Sequence, residues 1–270
     1  MDTRFCQVAV DGHVMTVTID RPELRNALHG DAHFELGDVF DRFEADPSLW
    51  VAILTGAGDK AFSAGADLRT PFDKDDPRAH RGMPVPSTGF AGLTWRFARR
   101  KPVIAAVNGL ALGGGFEAAL ACDVIVAADS ASFGLTEPKV GLAALGGGIQ
   151  RLVQELGPKR AHALLLTARR ITAAEAQACG LVAEVVPDAD LLACARRWAD
   201  AITACSPASI IATKAIMQSY YDRGMEASNR EMFDLPEVRA MLTGADAREG
   251  GKALFEKRAP VWADPPRKAD

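Results

Sequence analysis
Three short runs constrain this chain most: VAIL at 51–54, VIAAV at 103–107 and VIVAA at 124–128, none of which holds a polar residue. A strand with one face in water alternates polar and apolar side chains, so strands without polar positions are covered on both faces. Crossover helices between parallel strands provide that cover; antiparallel hairpins alone do not produce this rhythm. The runs predict an α/β fold whose sheet has substantial parallel pairing. The stretch from Val103 to Ala128 reads as buried core and not as a membrane span, because it contains Asn108, Glu117, Asp123 and four glycines.

Around these runs the elements fall into order. Val8, Val10, Val14, Val17 and Ile19 flank Asp11-Gly12, which predicts an opening β-hairpin. A helix is expected from Asp31 as N-cap, with Phe34, Leu36, Val39, Phe40 and Phe43 on one face and Asp46-Pro47 as its stop. Thr70 to Gly92, rich in Pro, Asp, Arg and Gly, is expected to be a mobile surface loop. After Gly146 the pattern becomes helical, at 158–167, 172–179, 188–204, 206–219 and 244–256, with one more strand in VAEVV at 182–186. This suggests a core at 1–200 followed by a helical region at 201–270, without internal repeats.

Composition narrows the partners. With 31 Lys and Arg against 35 Asp and Glu, the formal charge is −4, and no basic field is available for a phosphate backbone or an anionic membrane. Five cysteines, odd in number, widely spaced and without a C-x-x-C pair, indicate neither a disulfide framework nor a zinc site, which fits a reducing cytoplasm. No secretory signal pattern opens the sequence.

Several catalytic signatures can be set aside. His29 and His33 are four apart but lack the glutamate of H-E-x-x-H and a third ligand, so they read as surface or capping residues. Ser63 has no G-x-S-x-G context, and Gly113-Gly114-Gly115 is neither a dinucleotide fingerprint nor a Walker loop. That glycine run instead leads into the apolar segment Phe116-Glu117-Ala118-Ala119-Leu120. A helix starting there presents unpaired N–H groups at its first turn, and Glu117 projects one turn along the same face. Glu137, in Phe133-Gly134-Leu135-Thr136-Glu137-Pro138, is a second carboxylate in apolar surroundings. Two carboxylates facing one pocket have their proton affinities pushed apart, giving an acid and a base; spacing alone leaves an exposed loop glutamate an equal reading of Glu137. The small-residue turn Ala64-Gly65-Ala66-Asp67-Leu68 bares further backbone, either as a second amide donor or as a tight packing turn.

Together these segments resemble the enoyl-CoA hydratase/isomerase, or crotonase, family. Arg21-Pro22-Glu23-Leu24-Arg25-Asn26-Ala27-Leu28 is similar to its R-P-x-x-x-N-A-L signature, and A-F-S-A-G-A-D-L at 61–68 and N-G-x-A-x-G-G-G-x-E at 108–117 are similar to its two oxyanion-loop signatures. Ala121-Cys122-Asp123, Gln150-Arg151-Leu152, Gly180-Leu181-Val182, Glu249-Gly250 and 255–258 extend the likeness over nearly the whole chain.

The resemblance implies a spiral of ββα units with a helical C-terminal trimerisation region, a homotrimer or homohexamer, and an acyl-CoA thioester as substrate. It places the amides of Ala66 and Gly114 at an oxyanion hole and Glu117 and Glu137 at the paired carboxylates of a hydratase. It puts Arg25, Ala27, Ala64, Gly65, Asp67 and Leu68 along the CoA portion, and Phe255 and Lys257 on a segment that reaches a neighbouring subunit's CoA. No metal or separate cofactor is implied, nor nucleic acid, nor a membrane. One departure stands out: 141–148 reads G-L-A-A-L-G-G-G where hydratases carry a G-x-x-P-G-x-G-G type loop, so Leu145 replaces a glycine and is expected to reshape the acyl pocket. Hydration of a 2-enoyl-CoA is the leading expectation. The alternatives are isomerisation, dehydration of a carnitinyl-like thioester, or a non-catalytic RNA-binding role for Arg96, Arg99, Arg100 and Lys101.

Overall fold
The computed structural model describes residues 3–69, 76–80 and 83–265. The opening hairpin pairs β1 (Cys6–Asp11) with β2 (Val14–Ile19), Asp11 opposite Val14. Its two-residue loop is therefore Gly12-His13, one position later than the Asp11-Gly12 reading, with Gly12 supplying the positive φ of 58°. β3 (Val51–Gly56), β5 (Val103–Val107) and β7 (Val124–Ala128) are the three apolar runs, and they are parallel neighbours. With β10 (Glu184–Val186) they complete a six-stranded sheet in the order β1-β2-β3-β5-β7-β10.

A second sheet holds β4 (Ala61–Ser63), β6 (Leu110–Leu112), β8 (Ser132–Gly134) and β9 (Ile171–Thr172), in that order. The pairs β3/β4, β5/β6 and β7/β8 each place one strand in either sheet, so the chain advances as a spiral of ββ turns. The space between is filled by side chains such as Phe62, Phe116 and Phe133, all fully buried. Burying one such ring is worth roughly 1.5–3 kcal/mol over leaving it in water.

Helix α1 (Gly30–Ala45) buries Leu36, Phe40 and Phe43, and ends where Asp46 turns extended. Its N-cap is His29 and not Asp31; Asp31 sits inside the first turn, where its charge favours the positive end of the helix dipole. His33 is buried, not superficial, and its Nδ1 accepts from the Ala91 amide at 3.1 Å. Part of the expected mobile loop, 70–75 and 81–82, lies outside the described residues. Its C-terminal end, however, is packed core. The 3₁₀ turn Phe90–Gly92 lies against α1 so closely that a Cβ on Gly92 would sit 2.4 Å from Gly37 Cα.

α2 (Gly114–Leu120) follows β6, and α3 (Gly148–Leu156), which the sequence reading did not separate, follows the 141–147 segment. α4 (Pro158–Thr167), α5 (Ala173–Ala178), α6 (Leu191–Thr203), α7 (Pro207–Arg223), α8 (Met225–Glu231), α9 (Pro236–Thr243) and α10 (Asp246–Glu256) complete the chain. No helix among the described residues is long and apolar enough to cross a membrane.

The basic run before β5 does not form a solvated surface. Lys101 is 3% exposed and donates to the Phe43 and Asp46 carbonyls at 2.7 and 2.5 Å, closing the end of α1. Arg99 pairs with Asp123 at 2.8 Å, and Arg96 with Asp41 at 2.6 Å. Arg96, Arg99 and Lys101 are thus committed to partners within the chain, which removes the feature that favoured RNA.

Candidate active site
The site is built on three consecutive glycines, each needed for a different reason. Gly113 has φ of 53°, and a Cβ there would lie 3.2 Å from Glu137 Oε1. A Cβ on Gly114 would meet the Phe90 ring at 2.6 Å, and one on Gly115 the Ser63 carbonyl oxygen at 2.1 Å. The first glycine admits a carboxylate, the second an aromatic ring, and the third the neighbouring strand.

Gly113 donates its own N–H to the Gly134 carbonyl at 2.8 Å, whereas the Gly114 amide, first of α2, finds no acceptor among the described residues. The Ala66 amide is equally unengaged there, although its neighbours pair with Leu28: Leu28 N–H donates to Gly65 O and Asp67 N–H to Leu28 O, both at 2.8 Å. The two turns are in contact, since a Cβ on Gly65 would stand 3.1 Å from Gly114 N.

The 61–67 turn is held by the segment before α1. Asn26, fully buried at φ 55°, donates to the Ala61 and Ala57 carbonyls at 2.7 and 3.0 Å and accepts from the Arg21 amide at 3.0 Å. Arg21 bonds the Ala27 carbonyl and donates to Asp67 Oδ2 at 3.2 Å, while Arg69 donates to both Asp67 oxygens at 3.1 Å. Arg69, with Arg21, holds the Asp67 carboxyl down at about 2. Asp67 thus shapes the turn, and Arg25, at φ 53°, stands exposed beside it.

Glu117 is 4% exposed and accepts from the Gly148 amide at 2.9 Å, with Gly146 as a further backbone donor. Burial pushes its carboxyl up to about 7 against the pull of those amides, and the charge of Glu137 pushes the same way. Glu137 opens a 3₁₀ turn (Glu137–Val140), half-buried, and burial raises its proton affinity too. Its Oε2 is buried with no hydrogen-bond partner among the described residues. The Glu137 carboxyl thus lies against the Gly113 turn and the Glu117 carboxyl against the Gly146 and Gly148 turn, both biased toward the neutral form. A largely apolar cavity of about 370 Å³ is lined by Leu135 and Pro138, which bracket Glu137 in the chain, and by Ala144, Ile149, Val153 and Leu165 among others.

These features accord with the comparisons. The model of the enoyl-CoA hydratase/isomerase family matches residues 10–265. The chain belongs to this family. Among curated relatives, carnitinyl-CoA dehydratase of Escherichia coli K12 is 44% identical over 254 residues, 93% of this chain and 95% of that protein. The carnitinyl-CoA dehydratase of Citrobacter koseri is also 44% identical, over 253 residues, with the same coverage. Among solved structures, the enoyl-CoA hydratase of Mycobacterium tuberculosis H37Rv superposes with a TM-score of 0.88 at 35% identity, covering 97% of this chain and 99% of that one. The enoyl-CoA hydratase of Bacillus anthracis gives 0.86 at 33%, covering 97% and 100%. The crotonase spiral is thus the fold of this chain, and a hydratase or dehydratase acting on CoA thioesters is its coarse activity.

The structure gathers Glu117, Glu137, Gly114, Gly65 and Ala66 at one place, and Ala27, Ala64, Asp67 and exposed Leu68 along the adjoining turn. Leu145 stands 63% exposed, one residue before the glycine that packs on Glu117. Phe255, 89% exposed, and Lys257 lie at the end of α10. Sequence reasoning missed Phe90, which sits in a segment without periodicity, and the role of Asn26, which bonds the Ala57 and Ala61 carbonyls more than thirty residues along the chain. Gly146 and Gly148 were read as a loop motif; that they must be glycine because Glu117 packs against them had no sequence signal.

Proposed function
We propose that this member of the family hydrates a 2-enoyl-CoA thioester to the 3-hydroxyacyl-CoA, and catalyses the reverse dehydration. The observation that carries the reading is a buried carboxyl, Glu117, and a half-buried one, Glu137, both with raised proton affinity, near the Gly114 amide, which has no acceptor among the described residues.

In this reading the thioester carbonyl accepts from the Gly114 and Ala66 amides, which withdraws density from the β-carbon. Preorganised donors of this kind are each worth about 10²–10³ in rate. Glu117, ionised, takes a proton from water as the oxygen bonds to the β-carbon; Glu137, protonated, gives its proton to the α-carbon as the double bond is consumed. The two carboxyls exchange protonation states, and transfer through solvent restores them. A positioned acid or base adds about 10²–10⁴ each. A carboxyl near 7 suits the first role, since it ionises readily at neutral pH yet remains a competent base. The CoA portion would run along Arg25, Ala27, Ala64, Gly65, Asp67 and Leu68, and the acyl chain toward the apolar cavity by Leu135, with Leu145 at its rim.

A dehydratase of a carnitinyl-type thioester is the second reading, favoured by 44% identity to carnitinyl-CoA dehydratases over nearly the full length. Exposed Met225, Phe233, Leu254 and Phe255 on the C-terminal helices support assembly as a trimer or hexamer, with Phe255 and Lys257 meeting a neighbour's CoA. Light scattering tests this: a monomer would contradict it.

The deciding assay follows loss of enoyl absorbance with crotonyl-CoA and longer 2-enoyl-CoAs, and dehydration of carnitinyl-CoA, for the wild type, Glu117→Gln and Glu137→Gln. Loss in both variants is expected. A wild type that turns over none of these thioesters while binding them would sink the reading, and product mass would expose an isomerase, which adds no water.

A further inference from the structure
Glu117 owes its place to a turn, and that turn is itself held from behind. Arg151, on the first turns of α3, directs its guanidinium back under the glycines. Nη1 donates to the Gly146 carbonyl at 3.3 Å and Nη2 to the Thr94 carbonyl at 2.7 Å, while its own amide donates to Gly147 O at 3.1 Å. Gly147, at φ 96°, lies directly against the same guanidinium, 2.5 Å from Nη1 to where a Cβ would stand.

The two bridged carbonyls belong to opposite walls of the site. Gly146 and Gly148 hold Glu117. Thr94 is fully buried and locks the Phe90 turn in both directions: its Oγ1 accepts from the Phe90 amide at 2.9 Å and its amide donates to Phe90 O at 3.2 Å. Phe90 in turn lies over Gly114, whose amide has no acceptor among the described residues. Arg96 fixes the same segment to α1 through the Gly92 and Gly37 carbonyls at 2.9 and 3.1 Å, so the Thr94 anchor is rigid. A planar guanidinium reaches two carbonyls at once; an ammonium on a shorter reach does not reproduce that fork.

We propose that Arg151 is a positioning residue for this site: by tying the Gly146 turn to the Thr94 turn it sets the placement of Glu117 relative to the Gly114 amide. Its effect on the reaction rests on the hydratase reading, but its effect on Glu117 does not. The charged groups that bear on Glu117 are Glu137 from the turn after β8 and Arg151 from α3. Those that bear on Arg151 are Glu117, Glu155 on its own helix and Arg99 from the segment before β5, with the Cys122 thiol. The amides of Gly146 and Gly148 and the cation of Arg151 all favour the ionised carboxylate, so slackening the bridge raises Glu117's proton affinity.

The test compares Arg151→Gln and Arg151→Lys with the wild type. In the substrate-free enzyme, the ¹³C carboxyl resonance assigned to Glu117 through Glu117→Gln is titrated, with melting temperature measured alongside. In both variants the midpoint is expected to rise by about half a pH unit or more. On a thioester the wild type turns over, kcat is expected to fall about tenfold with KM little changed. A wild-type midpoint in folded Arg151→Gln overturns the proposal. A shift in Gln that Lys fully restores overturns it as well, because charge alone would then suffice. If Arg151→Gln does not fold, Arg151→Lys decides by the same criterion. Because the titration needs no substrate, an enzyme inactive on every thioester tried defeats the hydratase reading and leaves this result standing.

Discussion

Gly148 donates its backbone N–H to Glu117 Oε1 across 2.9 Å, joining two residues 31 apart in the chain. A Cβ on Gly148 would lie 2.8 Å from Glu117 Cγ, so the same glycine both feeds the carboxylate and makes room for its stem. The bond lowers the proton affinity that burial raises, and burial wins, which leaves the group near 7.

Glu117 should cost the fold stability at alkaline pH. Its carboxyl titrates near 4.5 when unfolded and near 7 when folded, so between those values the native state holds more protons. Stability therefore falls as pH rises through that window, reaching a penalty of about 2 kcal/mol once solvent relaxation is discounted. Urea unfolding of the wild type and Glu117→Gln at about pH 5 and about pH 8 should show the difference moving in the variant's favour by that amount. A pH-independent difference would mean that the folded carboxyl is not raised.

The adjacent glycines should separate fold from site. In Gly115→Ala the new methyl meets the Ser63 carbonyl at 2.1 Å, backbone against backbone, and a loss of about 3 kcal/mol is expected in denaturant unfolding. In Gly114→Ala the methyl meets the Phe90 ring at 2.6 Å, a side chain that can swing. That variant should unfold nearly as the wild type does, yet lose turnover on the enoyl-CoA substrate. The reverse order of effects would contradict the packing described here.

Much of this was legible because the information is local. The apolar runs at 51–54, 103–107 and 124–128 had one physical reading, and the strands match them within two residues. Gly113 to Glu117 also carries its meaning in its spacing, since a glycine turn into a helix exposes amides wherever it occurs. The clamp by Asn26, the ring of Phe90 over Gly114 and the Arg151 bridge depend on contacts between segments tens of residues apart, for which one sequence holds no record. The basic run ending in Lys101 reads from sequence alone as a solvated helix end or a subunit contact for the same reason: its partners lie on α1, at Asp46 and in Asp123.

Lys101 gives the sharpest check of that correction. Its amine closes the end of α1, and burial draws its proton affinity down to about 8. The folded value is depressed below the unfolded 10.5, so in that window the unfolded chain binds more protons and wild-type stability rises with pH. Lys101→Met should leave the Phe43 and Asp46 carbonyls without this donor, a cost of about 1–3 kcal/mol, and the deficit should widen between about pH 8 and about pH 10. Thermal melts across that range decide it; a variant as stable as the wild type throughout would return the lysine to the surface.

Glu137 differs from Glu117 in how its carboxyl is held. Its buried Oε2 has no partner among the described residues, whereas both oxygens of Glu117 lie against the Gly146 and Gly148 turn. Replacing Glu137 by glutamine therefore breaks no bond at that atom and removes a proton that only the reaction uses. Glu137→Gln should melt close to the wild type and bind a non-reacting acyl-CoA with similar Kd, while hydration falls by about 10²–10⁴. Hydration that survives in Glu137→Gln would assign the acid to another group, and a lost affinity for the thioester would make Glu137 a binding residue instead.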